Sequence, residues 1–136
     1  MNIIICVDDN MGMMFNHRRQ SQDRVLRDRI LEITKGKKLY MNNYSKAQFT
    51  DDKGITADED FLDKAMTGDY CFVENTDIKN HISKIENLII YKWNRVYPSD
   101  FKFQQSLDNF SLESVFEFKG YSHDMITEEI WKNDKR

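Results

Sequence analysis

Hydrophobic and polar positions change their period several times along this chain, and each change marks an element. Ile3-Ile4-Ile5-Cys6-Val7 is continuously apolar and β-branched, the pattern of a central strand covered on both faces. Asp8-Asp9-Asn10-Met11-Gly12 supplies turn residues at the carboxyl end of that strand, where open α/β sheets place their ligands. From Ser21 the period becomes helical: Val25, Leu26, Ile30 and Ile33 recur on one side, Ser21 can cap, and Lys35-Gly36-Lys37 closes the helix. Leu39-Tyr40-Met41 reads as a second strand, Tyr44 to Phe49 as a short helical turn, and Asp51-Asp52-Lys53-Gly54 as a turn.

The stretch Asp58 to Met66, acidic first and apolar at Phe61, Leu62, Ala65 and Met66, predicts a short amphipathic helix ending before Gly68. Tyr70-Cys71-Phe72-Val73 is a third strand, Ile78 to Ile85 a weak helix and Leu88-Ile89-Ile90-Tyr91 a fourth strand. Strands alternating with helices predict a single α/β domain over residues 1–136, with a largely parallel central sheet flanked by helices. Val115 to Phe118 adds a strand, whereas Ser122 to Trp131 fits neither the helical nor the strand period.

Composition narrows this picture in three ways. A chain of 136 residues with 40% hydrophobic and 32% charged content has enough apolar material for one core without disulfides. The formal charge of -3 argues against a whole-surface affinity for nucleic acid, though a local basic patch remains compatible with it. No apolar run approaches the roughly 20 residues of a membrane span, and the N-terminal stretch lacks the features of a secretory signal, so the expected location is cytoplasmic. Cys6 and Cys71 sit in apolar strand interiors and are expected as buried, unpaired thiols on neighbouring strands. His17, His81 and His123 stand singly, so no metal-ligand spacing can be written and no metal is expected.

Several strings resemble a shortened, truncated dihydrofolate reductase fold. LIIYKWNRVYPSDFKF (88–103) is similar to that family's penultimate parallel strand and following loop, with Asp100 and Phe103 in matching places. SLESVFEF (111–118) resembles its next strand, and LYMNNYSKAQF (39–49) its second strand and phosphate-binding turn. The resemblance implies that Asp23, early in the first helix, takes the place of the acidic residue that protonates the pterin indirectly. It also implies that a conventional NADPH site is lost. The phosphate turn reads Asn42-Asn43-Tyr44-Ser45 without its arginine, and Glu74-Asn75-Thr76 stands where paired glycines let the backbone approach a pyrophosphate. The interval from Phe49 to Asp58 is too short for the family's adenosine-binding strands. The chain also resembles short bacterial proteins labelled ribonuclease Z, but three isolated histidines cannot build the two-metal centre that such chemistry requires.

Candidate ligand-binding residues follow from position. Arg18, Arg19 and His17 precede the first helix, whose free N–H groups favour an anion; the competing reading is a solvated helix entrance. Asp8 ends the first strand, Met11 and Phe15 belong to a soft apolar loop suited to closing over a flat ligand, and Tyr91 ends the fourth strand. Trp93, Arg95 and Tyr97 alternate on an extended segment, as a stacking platform or, preferably, an exposed oligomer contact. Three functions are compatible with these features. One is a reductase-like domain binding a small planar or phosphorylated ligand, with a pocket lined by Asp8, Phe15, Asp23 and Tyr91. Another is a non-enzymatic binding or assembly protein, including a homo-oligomer, and the third is an RNA-binding or RNA-processing factor with a basic groove through Arg18, Arg19, Arg24 and Arg95.

Overall fold

In the computed structural model, which describes residues 1–50 and 54–136, the apolar run at the N-terminus forms β1 (Asn2–Val7) in the middle of a seven-stranded sheet. Its Ile3, Ile5 and Val7 side chains pack into one layer of core and Ile4 into the other, which is why the run carries no polar alternation. β1 pairs in parallel with β6 (Tyr70–Phe72) on one side and β7 (Asn87–Lys92) on the other. β4 (Leu39–Met41) lies beyond β6 and β5 (Ile55–Ala57) beyond β4, both parallel. At the opposite edge β10 (Ile126–Asn133) runs antiparallel to β7, and β9 (Phe110–Phe118) runs antiparallel to β10. The order β5-β4-β6-β1-β7-β10-β9 is thus a five-stranded parallel sheet extended by an antiparallel pair.

β5 occupies the interval that looked too short for further strands, where Ile55, Thr56 and Ala57 pair with Leu39, Tyr40 and Met41. Three residues suffice because β5 is an edge strand bonded on one side only. Of the turn expected at Asp51-Asp52-Lys53-Gly54, the first three residues lie outside the described residues, and Gly54 has a positive φ of 82°.

One face of the sheet is covered by α1 (Arg24–Ile33), which buries Leu26 and Ile30 against Phe72, Ile89, Tyr91 and Trp93. The helix begins three residues after Ser21: Asp23, not Ser21, is its cap, accepting from the N–H groups of Val25 and Leu26. The other face is covered by α3 (Phe61–Lys64), a 3-10 turn (Lys79–Lys84) and a small antiparallel sheet. α3 is a single turn because Asp58 accepts from Asp60 N–H and Lys64, closing a local turn where the helix was expected to start. α2 (Asn43–Lys46) is likewise one turn, capped by Asn42.

The small sheet is the largest departure from expectation. The methionine loop is strand β2 (Gly12–Phe15), hairpinned to β3 (Arg18–Arg19) and paired with β8 (Phe101–Lys102). Asn16 and His17, with φ values of 52° and 62°, form the two-residue reversal, so His17 lies exposed at a hairpin tip. β10 resolves the ambiguous C-terminal segment. Ile126 and Glu128 both point inward, so a buried carboxylate interrupts the apolar period, and a bulge follows between Ile130 and Trp131.

Cys71 and Cys6 occupy neighbouring strands but contribute to opposite layers of the core, so they cannot pair. Cys71 is fully buried, and burial pushes its thiol up to about 12. Cys6, expected to be buried too, is only half-buried, because its side chain leaves β1 toward a cleft beside α1.

Candidate functional site

Asp23 stands between the β3 loop and α1, 2% exposed, and receives donors from its own helix start and from one distant loop. Its Oδ1 accepts from the N–H groups of Val25 (2.9 Å), Leu26 (3.3 Å) and Tyr121 (2.9 Å). Its Oδ2 accepts from Ser122 N–H (2.9 Å), Ser122 Oγ (3.2 Å) and His123 Nδ1 (2.8 Å). Burial alone would raise the carboxyl pKa; the Tyr121 N–H, His123 and the Ser122 and Leu26 N–H groups outweigh it and hold Asp23 far below the usual carboxylate range. A carboxylate this fully coordinated stays ionised at neutral pH. That differs from the proton-donating role the family resemblance implies.

The His123 ring is fixed from three sides. Nδ1 bonds Asp23, Trp93 stacks on the ring at 4.5 Å between centroids, and Nε2 lies 2.9 Å from Ser21 Oγ and 3.3 Å from Tyr97 Oη. In the neutral tautomer that donates Nδ1–H to Asp23, Nε2 is an acceptor within reach of the Ser21 and Tyr97 hydroxyls. Trp93 is 4% exposed, which removes it from the exposed oligomer contact expected of the Trp93, Arg95 and Tyr97 alternation; the stacked imidazole covers it.

The carboxyl end of β6 is stitched shut. Glu74, with its side chain 9% exposed, takes a two-bonded ion pair from Arg19 (Nε 2.9 Å, Nη2 3.0 Å) and a hydrogen bond from Ser45 Oγ (2.8 Å). Arg19 also lies over the Tyr44 ring at 4.4 Å, donates from Nη2 to the Tyr44 carbonyl, and donates its backbone N–H to the Tyr44 hydroxyl oxygen. Asn42 Nδ2 donates to Asn75 Oδ1 at 2.8 Å. The two segments that resemble the family's phosphate turn and glycine pair are therefore bonded to each other.

Between this seam and α1 lies a narrow cleft with enclosed room for about one water molecule, lined by Ser21, Asp23, Gln48, Phe72, Glu74 and Trp93, with Cys6 and Arg27 at its margins. A second recess of similar size shares Cys6, Ser21, Glu74 and Trp93 with it. Gln48 Nε2 is buried and has no hydrogen-bond partner among the described residues. Burial, then the Glu74 charge, push the Cys6 thiol up, with Arg19 opposing.

The remaining expected residues are placed elsewhere. Asp8, 2% exposed, folds its own loop: it accepts from the N–H groups of Asn10, Gly12 and Tyr97 and from Gln20 Nε2. Burial opposes its ionisation, but the Tyr97, Gly12 and Asn10 N–H groups and Gln20 prevail and lower its pKa. Met11 takes a φ of 62° in that loop and packs on the core. Phe15, Arg18 and Arg19 line a shallow open hollow with Asn16, Gln20, Tyr97 and Pro98, which excludes Asp23. Arg18 is exposed while Arg19 is tied to Glu74, and the first amides of α1 are taken by Asp23, so these groups do not converge as an anion site. Tyr91 is fully buried and donates to Glu128 Oε2 at 2.8 Å; Arg29 holds the same carboxylate through two bonds of 2.8 and 3.0 Å. Burial, then Glu128, raise the Tyr91 pKa, and the residue serves the core rather than the cleft. The basic groove is absent as drawn: Arg19 is paired and Arg24 stacks on Tyr121 at 4.2 Å.

Ser21, Glu74 and Gln48 of the cleft, and His123 behind Ser21, are residues that sequence reasoning passed over as ligands. His123 and Asp23 are 100 positions apart, and only the compact turn string Gly120-Tyr121-Ser122-His123 hints at a constrained loop.

No described protein family and no curated protein sequence matches the chain. Among solved structures, it is similar to a dihydrofolate reductase from Enterococcus faecalis complexed with NADP(H) and RAB-propyl. The match has a TM-score of 0.69 at 9% identity and covers 98% of this chain and 95% of that chain. Identity this low speaks to architecture alone, and on that architecture the chain has a dihydrofolate reductase-like fold.

Proposed function

We infer that the protein binds a small planar ligand in the cleft beside Asp23, without a conventional NADPH site. The observation that carries the reading is Gln48, whose buried Nε2 lacks a partner and whose side chain borders a narrow cleft with Phe72 and Trp93, a cleft that a planar ring must widen to enter. An unpaired buried donor costs about 1–3 kcal/mol, which a ring nitrogen or carbonyl oxygen of a ligand would recover. The cleft lies at the carboxyl edge of the parallel strands, where such folds take ligands. Support for the loss of the dinucleotide site comes from the Arg19–Glu74–Ser45 seam, because its carboxylate would repel a pyrophosphate and its arginine is already neutralised.

Thermal denaturation in the presence of pteridines, purines and NADPH tests the reading, since a ligand that binds the native state raises its melting temperature. A pteridine or purine is expected to raise it, and Gln48→Leu is expected to abolish most of that rise. Absence of any shift from planar heterocycles would remove the proposal.

A further inference from the structure

We propose that Ser21 is a nucleophile for transfer or hydrolysis of short acyl groups, with His123 as its base and Asp23 as the residue that positions His123. The inference rests on the reading of the cleft as a ligand site and names the chemistry performed there. Its warrant is a continuous relay: Asp23 Oδ2 to His123 Nδ1 at 2.8 Å, and His123 Nε2 to Ser21 Oγ at 2.9 Å. Both links fall within the range expected of a nucleophile and base in contact, with the base oriented by a third group. Asp23 and His123 are buried at 2% and 5% exposure, whereas Ser21 is half-buried and lines both recesses of the cleft. The order of burial is that of a working relay, with the orienting carboxylate deepest and the hydroxyl facing the ligand.

The surroundings suit the task. Five other donors on Asp23 and the Trp93 stack leave the imidazole one orientation, so little reorganisation accompanies proton transfer. Gln48 borders the same cleft, and its buried, unpartnered Nε2 is a donor that an acyl oxygen could take up. The cleft encloses room for about one water molecule, so only a short acyl group can be seated against Ser21. Cys6 is the competing nucleophile, but its raised pKa keeps it a thiol at neutral pH.

In the acylation step a bond forms from Ser21 Oγ to the acyl carbon while the hydroxyl proton passes to His123 Nε2. The bond from acyl carbon to the leaving oxygen then breaks, and that oxygen takes the proton from His123. A water molecule next gives a proton to Nε2 and its oxygen to the acyl carbon, releasing the carboxylic acid and returning the proton to Ser21.

The test is incubation of the full chain with p-nitrophenyl acetate, following nitrophenolate release and mapping acetyl groups by peptide mass. The wild-type protein is expected to carry acetyl on Ser21. Ser21→Ala and His123→Gln are each expected to slow release about 100-fold or more. Acetyl found on Cys6 or on lysines instead, release unaffected by Ser21→Ala, or no release by the wild type would each overturn the proposal. Mapping on the wild type decides the matter even if a variant fails to fold. Thermal shifts by planar heterocycles in Ser21→Ala report separately on the cleft, so a failed relay and a failed binding reading are distinguishable.

Discussion

Asp23 shows how one side chain can serve the helix, the far loop and the cleft together. Replacing it by asparagine keeps the cap but removes the charge and turns an amide donor toward Ser122 N–H and His123, leaving buried donors unpaired. Asp23→Asn is expected to lower unfolding free energy by about 3 kcal/mol, read as a lower denaturation midpoint in urea. Because the folded pKa is depressed, the carboxylate contributes its full stability above the unfolded value of about 3.9 and loses it as pH falls toward the folded value. The melting temperature of the wild type should therefore drop below about pH 4 more steeply than that of Asp23→Asn, whose residue 23 does not titrate. At the same scale, Arg29→Met leaves Glu128 charged, 3% exposed and bonded only to Tyr91, and should cost about 3 kcal/mol. Conversion of Arg29, Glu128 and Tyr91 together to apolar residues of similar volume should restore much of that loss.

Among the elements, four of the five parallel strands and α1 were readable because each carries its own period or an unbroken apolar run, whereas the three-residue edge strand β5 carries neither. Ile3 to Val7, Leu88 to Tyr91 and the Leu26/Ile30 pair specify their layers locally. The small sheet was not readable, since Gly12 to Phe15 contains no β-branched residue and owes its strand state to β8, some 87 positions away (Met14 to Phe101). The candidate site failed to show for the same reason. Asp23 was found from its place at a helix start, but its meaning depends on the Gly120 to His123 turn, which no periodicity links to it. That turn tolerates little change: a Cβ at Gly120 would lie 2.7 Å from Asp23 Oδ2 and 2.9 Å from the His123 carbonyl oxygen. Gly120→Ala is expected to displace the turn, lower the melting temperature by several degrees and weaken ligand shifts, whereas Gly36→Ala meets no atom within 4 Å and is strained only through its φ of 77°.

At the scale of the molecule, the sheet order is that of a dihydrofolate reductase-like fold, and the loss of a dinucleotide site is the reading proposed for its carboxyl edge. Fold survives at 9% identity because it needs only buried apolar runs and short crossovers; a pyrophosphate site needs open backbone and a positive field at particular positions. In the proposed reading those positions are held by Glu74, bonded to Arg19 and Ser45, and Asn75, bonded to Asn42. Among the described residues no helix is long and apolar enough to cross a membrane, and no three histidine, cysteine or acidic residues gather as a cluster able to hold a metal ion. What the edge offers instead is the narrow cleft of Ser21, Gln48, Phe72 and Trp93. The most direct measurement of this account is a calorimetric titration of NADPH into the native protein. The account predicts no saturable heat even at millimolar cofactor, and saturable binding in the micromolar range would contradict it by showing that the Arg19–Glu74 seam opens to admit a dinucleotide.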